Sequence, residues 1–132
     1  MITLGVLINT ALRTANGQAG NLDPGLFGNT AVNDEDVKGA FKVSSLRNIA
    51  VTSPYMHNGK FKDLDTVVHF YNTRDTGGIN PETGATWELG EFHSGRNTDQ
   101  LGDLGLSFDE EKDLISFLKT FTDKRYEGLI DK

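Results

Sequence analysis

The chain has 132 residues, a formal net charge of −6 and a pI of about 4.9. The length fits one domain. The acidic charge argues against a nucleic-acid surface, because phosphates are bound by clustered Lys and Arg. Cysteine is absent, which excludes disulfides and thiolate sites. Hydrophobic residues make up 36% and glycine contributes 15 residues, which predicts long loops around a small core.

The first third of the chain is mostly irregular in its pattern. Residues 1–8 are apolar but lack the basic n-region of a signal peptide, so we expect a strand or a packed segment there. No apolar run approaches the length of roughly 18 residues that a membrane span needs. Residues 14–40 are rich in Gly, Asn and Asp. Within them, the sequence Asp-Pro-Gly at residues 23–25 is typical of a turn.

A helix is predicted over residues 62–72. Apolar side chains recur there at i, i+3, i+4 and i+7, namely Leu64, Val67, Val68 and Tyr71. Asp63 is placed to cap the start of this helix, and Asn72 to end it. His69 falls away from the apolar stripe, whereas Tyr71 belongs to it.

A second polar, Gly-rich stretch covers residues 73–105. Two irregular stretches of about thirty residues are unusual in a compact domain, where loops beyond roughly 15 residues are uncommon. They are therefore either functional or wrapped around a group that this chain does not itself supply.

The closing helix, predicted over residues 106–123, has the clearest pattern. Ser107 and Glu110 form a capping box, in which each side chain satisfies a backbone amide of the first turn. An apolar stripe follows at helical spacing, made of Leu114, Phe117, Leu118 and Phe121.

Residues that could carry chemistry concentrate in residues 47–59. Met56, His57 and the more distant Tyr71 can each contact a cofactor or ligate a metal. The alternatives are a hydrogen-bonding structural histidine and a core tyrosine. The three histidines, His57, His69 and His93, lack the H-x-x-x-H spacing of a zinc site. Catalytic-serine, phosphate-loop and dinucleotide motifs are also missing, so these residues alone leave the function open.

Residues 41–59, FKVSSLRNIAVTSPYMHNG, resemble the signature of the bacterial di-haem cytochrome c peroxidase and MauG family. The resemblance extends over about residues 20–123 and includes three further segments, residues 23–27, 64–72 and 104–122. It implies a mainly α fold, a partial cytochrome c-like haem domain with long irregular loops. Residues 1–132 would then form a single C-terminal domain fragment of such a protein.

Two departures from the family pattern stand out. Ser44 occupies a position where the family usually has Pro. The haem-attachment motif C-x-x-C-H is missing because the chain has no cysteine. Haem c therefore belongs to the parent family and is not covalently attached to this chain.

The resemblance implies roles for individual residues. The distal ligand of the second haem follows the turn histidine His57 by fourteen residues, which is Tyr71 here. A Tyr ligand is typical of the MauG type and a Met ligand of the peroxidases; a hard phenolate oxygen suits ferric and higher-valent iron, whereas a thioether raises the potential. His57 would have a polar role near the haem. Arg47 would pair with a haem propionate, or else with loop carbonyls.

A calcium ion is also implied for the complete protein. Relatives bind it through two backbone carbonyls that correspond to Thr52 and Pro54. Carbonyl oxygens suit this hard cation, but two are too few for a site.

The parent function implied is peroxide-dependent oxidation and electron transfer, with a periplasmic location. This chain would contribute the distal side of a haem pocket and be inactive alone. The alternative is a haemless interaction module derived from the same domain. The expected partners are a haem-bearing segment or chain and, through an apolar face left open near Leu64, Val67, Val68 and Tyr71, a second copy of the chain.

Overall fold

The computed structural model describes residues 2–3, 8–92 and 96–130, so His93 and most of the apolar opening lie outside it. Three α-helices and two short strands occur in this part of the chain: β1 (Ile2–Thr3), α1 (Thr10–Ala15), β2 (Ala40–Phe41), α2 (Leu64–Thr73) and α3 (Phe108–Lys119). Short 3-10 segments add Leu26–Gly28, Glu35–Val37, Ile49–Val51 and Lys124–Leu129. Of the described helices, none has the length and apolar character needed to span a membrane.

The α-helices contain 6, 10 and 12 residues, so the backbone is largely irregular, with helix as its main regular structure. The strand predicted near the start is confirmed for Ile2–Thr3, which pairs antiparallel with β2 in a register that places the Ile2 backbone opposite that of Phe41. Of the two irregular stretches predicted, residues 14–40 lie mainly between α1 and β2 and include two short 3-10 segments, and the described residues of 73–105 lie mainly between α2 and α3.

The core is built from one short stretch of sequence and one residue of α3. Phe61 and Phe70 are fully buried, with ring centroids 5.1 Å apart. The amide of Tyr55 donates to the carbonyl of Phe61 at 2.7 Å, closing the turn between them. Among the described residues, this buried apolar cluster consists of Tyr55, Phe61, Leu64, Val67, Val68, Phe70 and Ile115.

The helix α2 begins and ends differently from the prediction. Asp63 precedes the helix, but its side chain makes no capping bond. Glu82 instead holds the backbone just before the helix, because its Oε1 accepts from the amides of Lys62 at 2.8 Å and Asp63 at 3.2 Å. Asn72 does not end the helix; it is buried within it and exchanges two hydrogen bonds with the backbone of Leu106.

The capping box of α3 is confirmed. Ser107 Oγ accepts from the Glu110 amide, and Glu110 Oε2 accepts from the Ser107 amide at 2.8 Å. Burial of the apolar stripe is confirmed only in part, since Leu114 and Leu118 pack against the core while Phe117 and Phe121 remain exposed. The buried residues of α3 are Glu111 and Ile115, which shows that the helix is rotated relative to the predicted face.

The expectation of an open apolar face along α2 is wrong for three of its four residues. Leu64, Val67 and Val68 are buried within this chain, because α3 and the residues around Tyr55 and Phe61 pack over them. Large apolar side chains that are exposed lie elsewhere and include Leu46, Leu104, Phe108, Phe117 and Phe121.

Candidate functional site

Tyr71 lies near the end of α2 and is half-buried, at the edge of the core rather than within it. In the described part of the chain, the polar neighbour of its hydroxyl is Met56 Sδ at 3.9 Å. A thioether is a weak acceptor, so the phenol oxygen has no strong hydrogen bond. Burial raises the pKa of the Tyr71 phenol, and the nearby cation of Arg74 opposes that effect.

A loop after α2 fixes the backbone around Tyr71. The Gly102 amide donates to the Tyr71 carbonyl at 2.6 Å, and the Leu104 amide donates to the Asn72 carbonyl at 3.1 Å. Carbonyls in the last turn of a helix have no partner within the helix, so the loop supplies what α2 cannot. Gly102 has φ +101, and a Cβ at this position would meet Asp75 Oδ2 at 2.2 Å. The close approach therefore requires glycine.

A cluster of charges lies at the same end of α2. The Arg74 side chain is only 5% exposed, and its Nη2 donates to Asp75 Oδ2 at 2.6 Å, to the Asn97 carbonyl at 2.7 Å and to the Leu101 carbonyl at 3.0 Å. Arg96 Nη2 lies 3.2 Å from Asp75 Oδ1. The hydrogen bond from Arg74 is the main reason that the pKa of Asp75 is held below its ordinary value of 3.8. Sequence reasoning missed this cluster, because its partners are brought together only by the loop.

The turn before α2 meets Tyr71 through Met56, which has a left-handed φ of 71°. The neighbouring His57 is exposed and stacks one face on Phe41, with ring centroids 3.7 Å apart. Partial burial lowers the pKa of His57, opposed mainly by the charge of Glu91. The structure thus brings Met56 to the Tyr71 oxygen and packs His57 against β2.

Glu91 organises the surroundings of His57 and was also missed by sequence reasoning. Its side chain is almost fully buried and pairs with Arg13 Nη2 at 2.5 Å. It also accepts from Asn58 Nδ2 at 3.3 Å. A carboxylate from one loop therefore joins α1 to the turn.

Arg47 belongs to another group of side chains, which surrounds a pocket. It lines a shallow pocket of about 290 Å³ together with Ser45, Leu46 and Phe121. Within the described residues its guanidinium has no hydrogen bond to a loop carbonyl. The propionate and loop-carbonyl roles of Arg47 both stay predictions.

Thr52 and Pro54 are exposed and flank Ser53, whose Oγ donates to the Lys62 carbonyl at 2.6 Å. Among the residues that the structure describes, the carbonyls of Thr52 and Pro54 accept no hydrogen bond. The same part of the chain contains no group of three or more His, Cys, Asp or Glu side chains able to hold a metal ion.

No family model matches the chain, but individual proteins are similar to it. It is 45% identical over 138 aligned residues to the methylamine utilization protein MauG of Paracoccus denitrificans (strain Pd 1222), covering 98% of this chain and 35% of MauG. It is 39% identical over 90 residues to the cytochrome-c peroxidase IdrP1 of Denitromonas iodatirespirans, covering 68% of this chain and 19% of that protein.

A solved structure is also similar. The crystal structure of a MauG-like protein associated with microbial copper homeostasis superposes with a TM-score of 0.59 at 36% identity, over 77% of this chain and 30% of that one. The chain spans about a third or less of the length of the relatives it matches. The resemblance carried by residues 41–59 is confirmed, and the chain belongs to the family of MauG and the di-haem cytochrome c peroxidases.

Proposed function

We propose that this chain forms the distal side of a haem pocket in a di-haem, MauG-like protein, with Tyr71 as the ligand of the haem iron. The observation that carries the proposal is the surroundings of Tyr71, a half-buried residue on a fixed helix end whose hydroxyl has, among the described residues, only the Met56 thioether at 3.9 Å as its polar neighbour. A buried phenol normally has a stronger partner. When bound, haem c supplies an iron centre for peroxide-dependent oxidation and electron transfer.

The donor chemistry of the chain fits such a group. A phenolate oxygen is a hard anionic ligand, suited to iron in its oxidised states. The helix end that carries Tyr71 is held by the amides of Gly102 and Leu104. The backbone of Tyr71 is therefore in place before haem binds. This limits the conformational entropy lost on binding.

Arg47 and His57 fit supporting roles. The guanidinium of Arg47 borders a pocket shared with Leu46 and Phe121, a combination suited to the apolar edge of a macrocycle and its carboxylate. The pKa of His57 is lowered, mainly by burial, which favours the neutral ring; a neutral imidazole can donate one hydrogen bond and accept another. We propose that Arg47 binds a propionate and that His57 gives the pocket a polar wall.

The chain needs a partner to complete this pocket. It contains no cysteine, so a segment or chain carrying C-x-x-C-H must supply the covalently attached haem. For that reason we propose that the chain is not catalytic by itself. Family resemblance further favours a periplasmic location for the assembled protein.

A calcium ion is part of the same proposal. The open carbonyls of Thr52 and Pro54 suit a hard cation, but the ion usually takes about 6–8 oxygen ligands. The remaining ligands would come from the haem-bearing partner.

The proposal is tested by adding a ferric haem c peptide, which carries C-x-x-C-H and its histidine, to the purified 132-residue chain. We expect absorption and EPR spectra of a six-coordinate ferric haem with a phenolate ligand. Tyr71→Phe should leave the iron five-coordinate or water-ligated. Tyr126→Phe is the matched control, because Tyr126 is an exposed tyrosine in the 3-10 segment Lys124–Leu129, and it should leave the spectra unchanged.

Identical spectra for the parent chain and Tyr71→Phe would reduce Tyr71 to a core tyrosine and remove the proposed ligand. If the chain binds no haem peptide at all, the haemless interaction module becomes the better interpretation.

A further inference from the structure

We propose that the charge cluster formed by Arg74, Asp75 and Arg96 positions Tyr71 and sets the reduction potential of the haem that Tyr71 ligates. Arg74 is the positioning residue of this cluster. The inference rests on the proposed function, because it concerns the same ligand, but it assigns a task to residues outside the pocket wall.

The first observation is proximity along the helix. Arg74 follows Tyr71 by three residues and keeps helical backbone angles, with φ −51° and ψ −41°. Residues three apart are neighbours on a helix surface. Both side chains also lie near the ring of Phe70, whose centroid is 5.9 Å from Arg74 Cζ and 5.9 Å from the centroid of the Tyr71 ring.

The second observation is the charge balance. Asp75 is shared by two arginines, Arg74 at 2.6 Å and Arg96 at 3.2 Å, so these three side chains together sum to one positive charge. Arg74 is 5% exposed, and a charge shielded from water acts over a longer distance than one at the surface. Positive charge also complements the negative end of the α2 dipole.

The third observation is mechanical. The Arg74 guanidinium donates to the carbonyls of Asn97 and Leu101, and the next residues of that loop, Gly102 and Leu104, donate to the last turn of α2. The Asp75 amide returns a bond to the Gly102 carbonyl at 2.8 Å. Arg74 therefore holds the loop that in turn holds the backbone of Tyr71.

Charge and position predict different responses to substitution. A net positive charge near the iron favours the ferrous form, so removing it lowers the reduction potential. Removing the negative charge of Asp75 has the opposite effect. If the cluster acted only mechanically, both substitutions would shift the reduction potential in the same direction, because both break the contact between Arg74 and Asp75.

The experiment measures the reduction potential of the chain with the bound haem c peptide by spectroelectrochemistry. At a fixed applied potential, Arg74→Gln should raise the ferric-to-ferrous ratio by about threefold to tenfold, the order expected for one partly shielded charge. Asp75→Asn should lower the ratio, and Arg74→Lys should stay near the parent value. Arg125→Gln is the control, because Arg125 forms a similar pair with Asp123 on an exposed segment.

A second measurement does not depend on haem. Hydrogen exchange of the Gly102 and Leu104 amides in the haem-free chain should be at least about tenfold faster in Arg74→Gln than in the parent chain or Arg74→Lys. Unchanged exchange would overturn the positioning role.

The outcomes separate this inference from the function on which it rests. Equal potentials for all variants, in a chain whose spectra still depend on Tyr71, would overturn the charge role alone. If Arg74→Gln and Asp75→Asn shift the reduction potential in the same direction, the charge role is also overturned. Absence of haem binding would remove the proposed function and the potential-setting role together, while amide exchange would still decide whether Arg74 positions Tyr71.

Discussion

His69 of α2 and Glu111 of α3 are joined by a contact of 2.9 Å between Nδ1 and Oε1. The same carboxylate accepts from Asn72 Nδ2 at 2.6 Å, and Glu111 is only 8% exposed. His69 lies off the predicted apolar stripe that contains Tyr71, and the contact turns it towards α3. The two helices are thus joined by a polar network on one side of α2, while Ile115 joins them through the core.

We expect Glu111→Ala to lower the free energy of unfolding by roughly 2–3 kcal/mol, because Asn72 and His69 lose a buried acceptor. Glu111→Gln should cost less, since its amide oxygen still accepts from Asn72. Urea denaturation followed by circular dichroism measures both. Glu127→Ala serves as the control, because Glu127 is exposed. Equal losses for Glu111→Ala and the control would show that the network adds no stability.

Stability should fall in acid partly through Asp75. Its pKa in the folded chain lies below the ordinary value of 3.8, first because of its hydrogen bond from Arg74. A depressed carboxyl pKa contributes stability that is present above the unfolded pKa and is lost as pH falls through the folded value. Asp75→Asn should therefore be less stable than the parent chain near pH 7, and the difference should shrink below about pH 4. A difference that is constant from pH 7 to pH 3 would contradict this assignment.

The isolated chain should bind calcium weakly or not at all. Thr52 and Pro54 offer two carbonyls, far below the about 6–8 oxygens that the ion takes. Isothermal titration calorimetry with calcium chloride should give no site tighter than millimolar. A micromolar site would mean that further ligands come from this chain, and Asp and Glu substitutions in residues 73–103 would then locate them.

Self-association remains an expectation, but the structure moves the contact to another surface. Phe117 is 56% exposed and packs on Phe121, which is 39% exposed, with ring centroids 5.0 Å apart. Sedimentation equilibrium of Phe117→Ser should show association weakened about tenfold or more, the order expected for one large apolar side chain. Phe108→Ser is the matched control, since nine residues place Phe108 on the opposite side of α3. A parent chain that sediments as a monomer at high concentration would rule out the contact.

Local signals in the sequence predicted α2 and α3 well, because capping and helical periodicity act within a few residues. The capping box of Ser107 and Glu110 is the clearest case. The errors arose where distant residues decide. Glu82 holds the backbone just before α2, where Asp63 forms no side-chain cap, and the Leu106 carbonyl accepts from the side-chain amide of Asn72. Neither contact can be recognised in the local sequence pattern.

The same difference between local signals and distant contacts applies to the candidate site. Tyr71 could be found from its spacing within a recognisable family signature, whereas Arg74 and Asp75 could not. Their significance depends on a loop more than twenty residues away in sequence, since Arg74 bonds to Asn97 and Leu101. Irregular loops of this kind have no periodicity from which their contacts could be inferred.

The short sequence span of the core has a consequence for folding kinetics. Apart from Ile115, the buried apolar core residues all lie between Tyr55 and Phe70, so they can meet after closing only small loops. A nucleus formed there would precede the docking of α3. Val67→Ala should therefore slow refolding in stopped-flow experiments, whereas Ile115→Val should mainly accelerate unfolding. The residues that surround Tyr71 would then gather first, before the rest of the chain is in place.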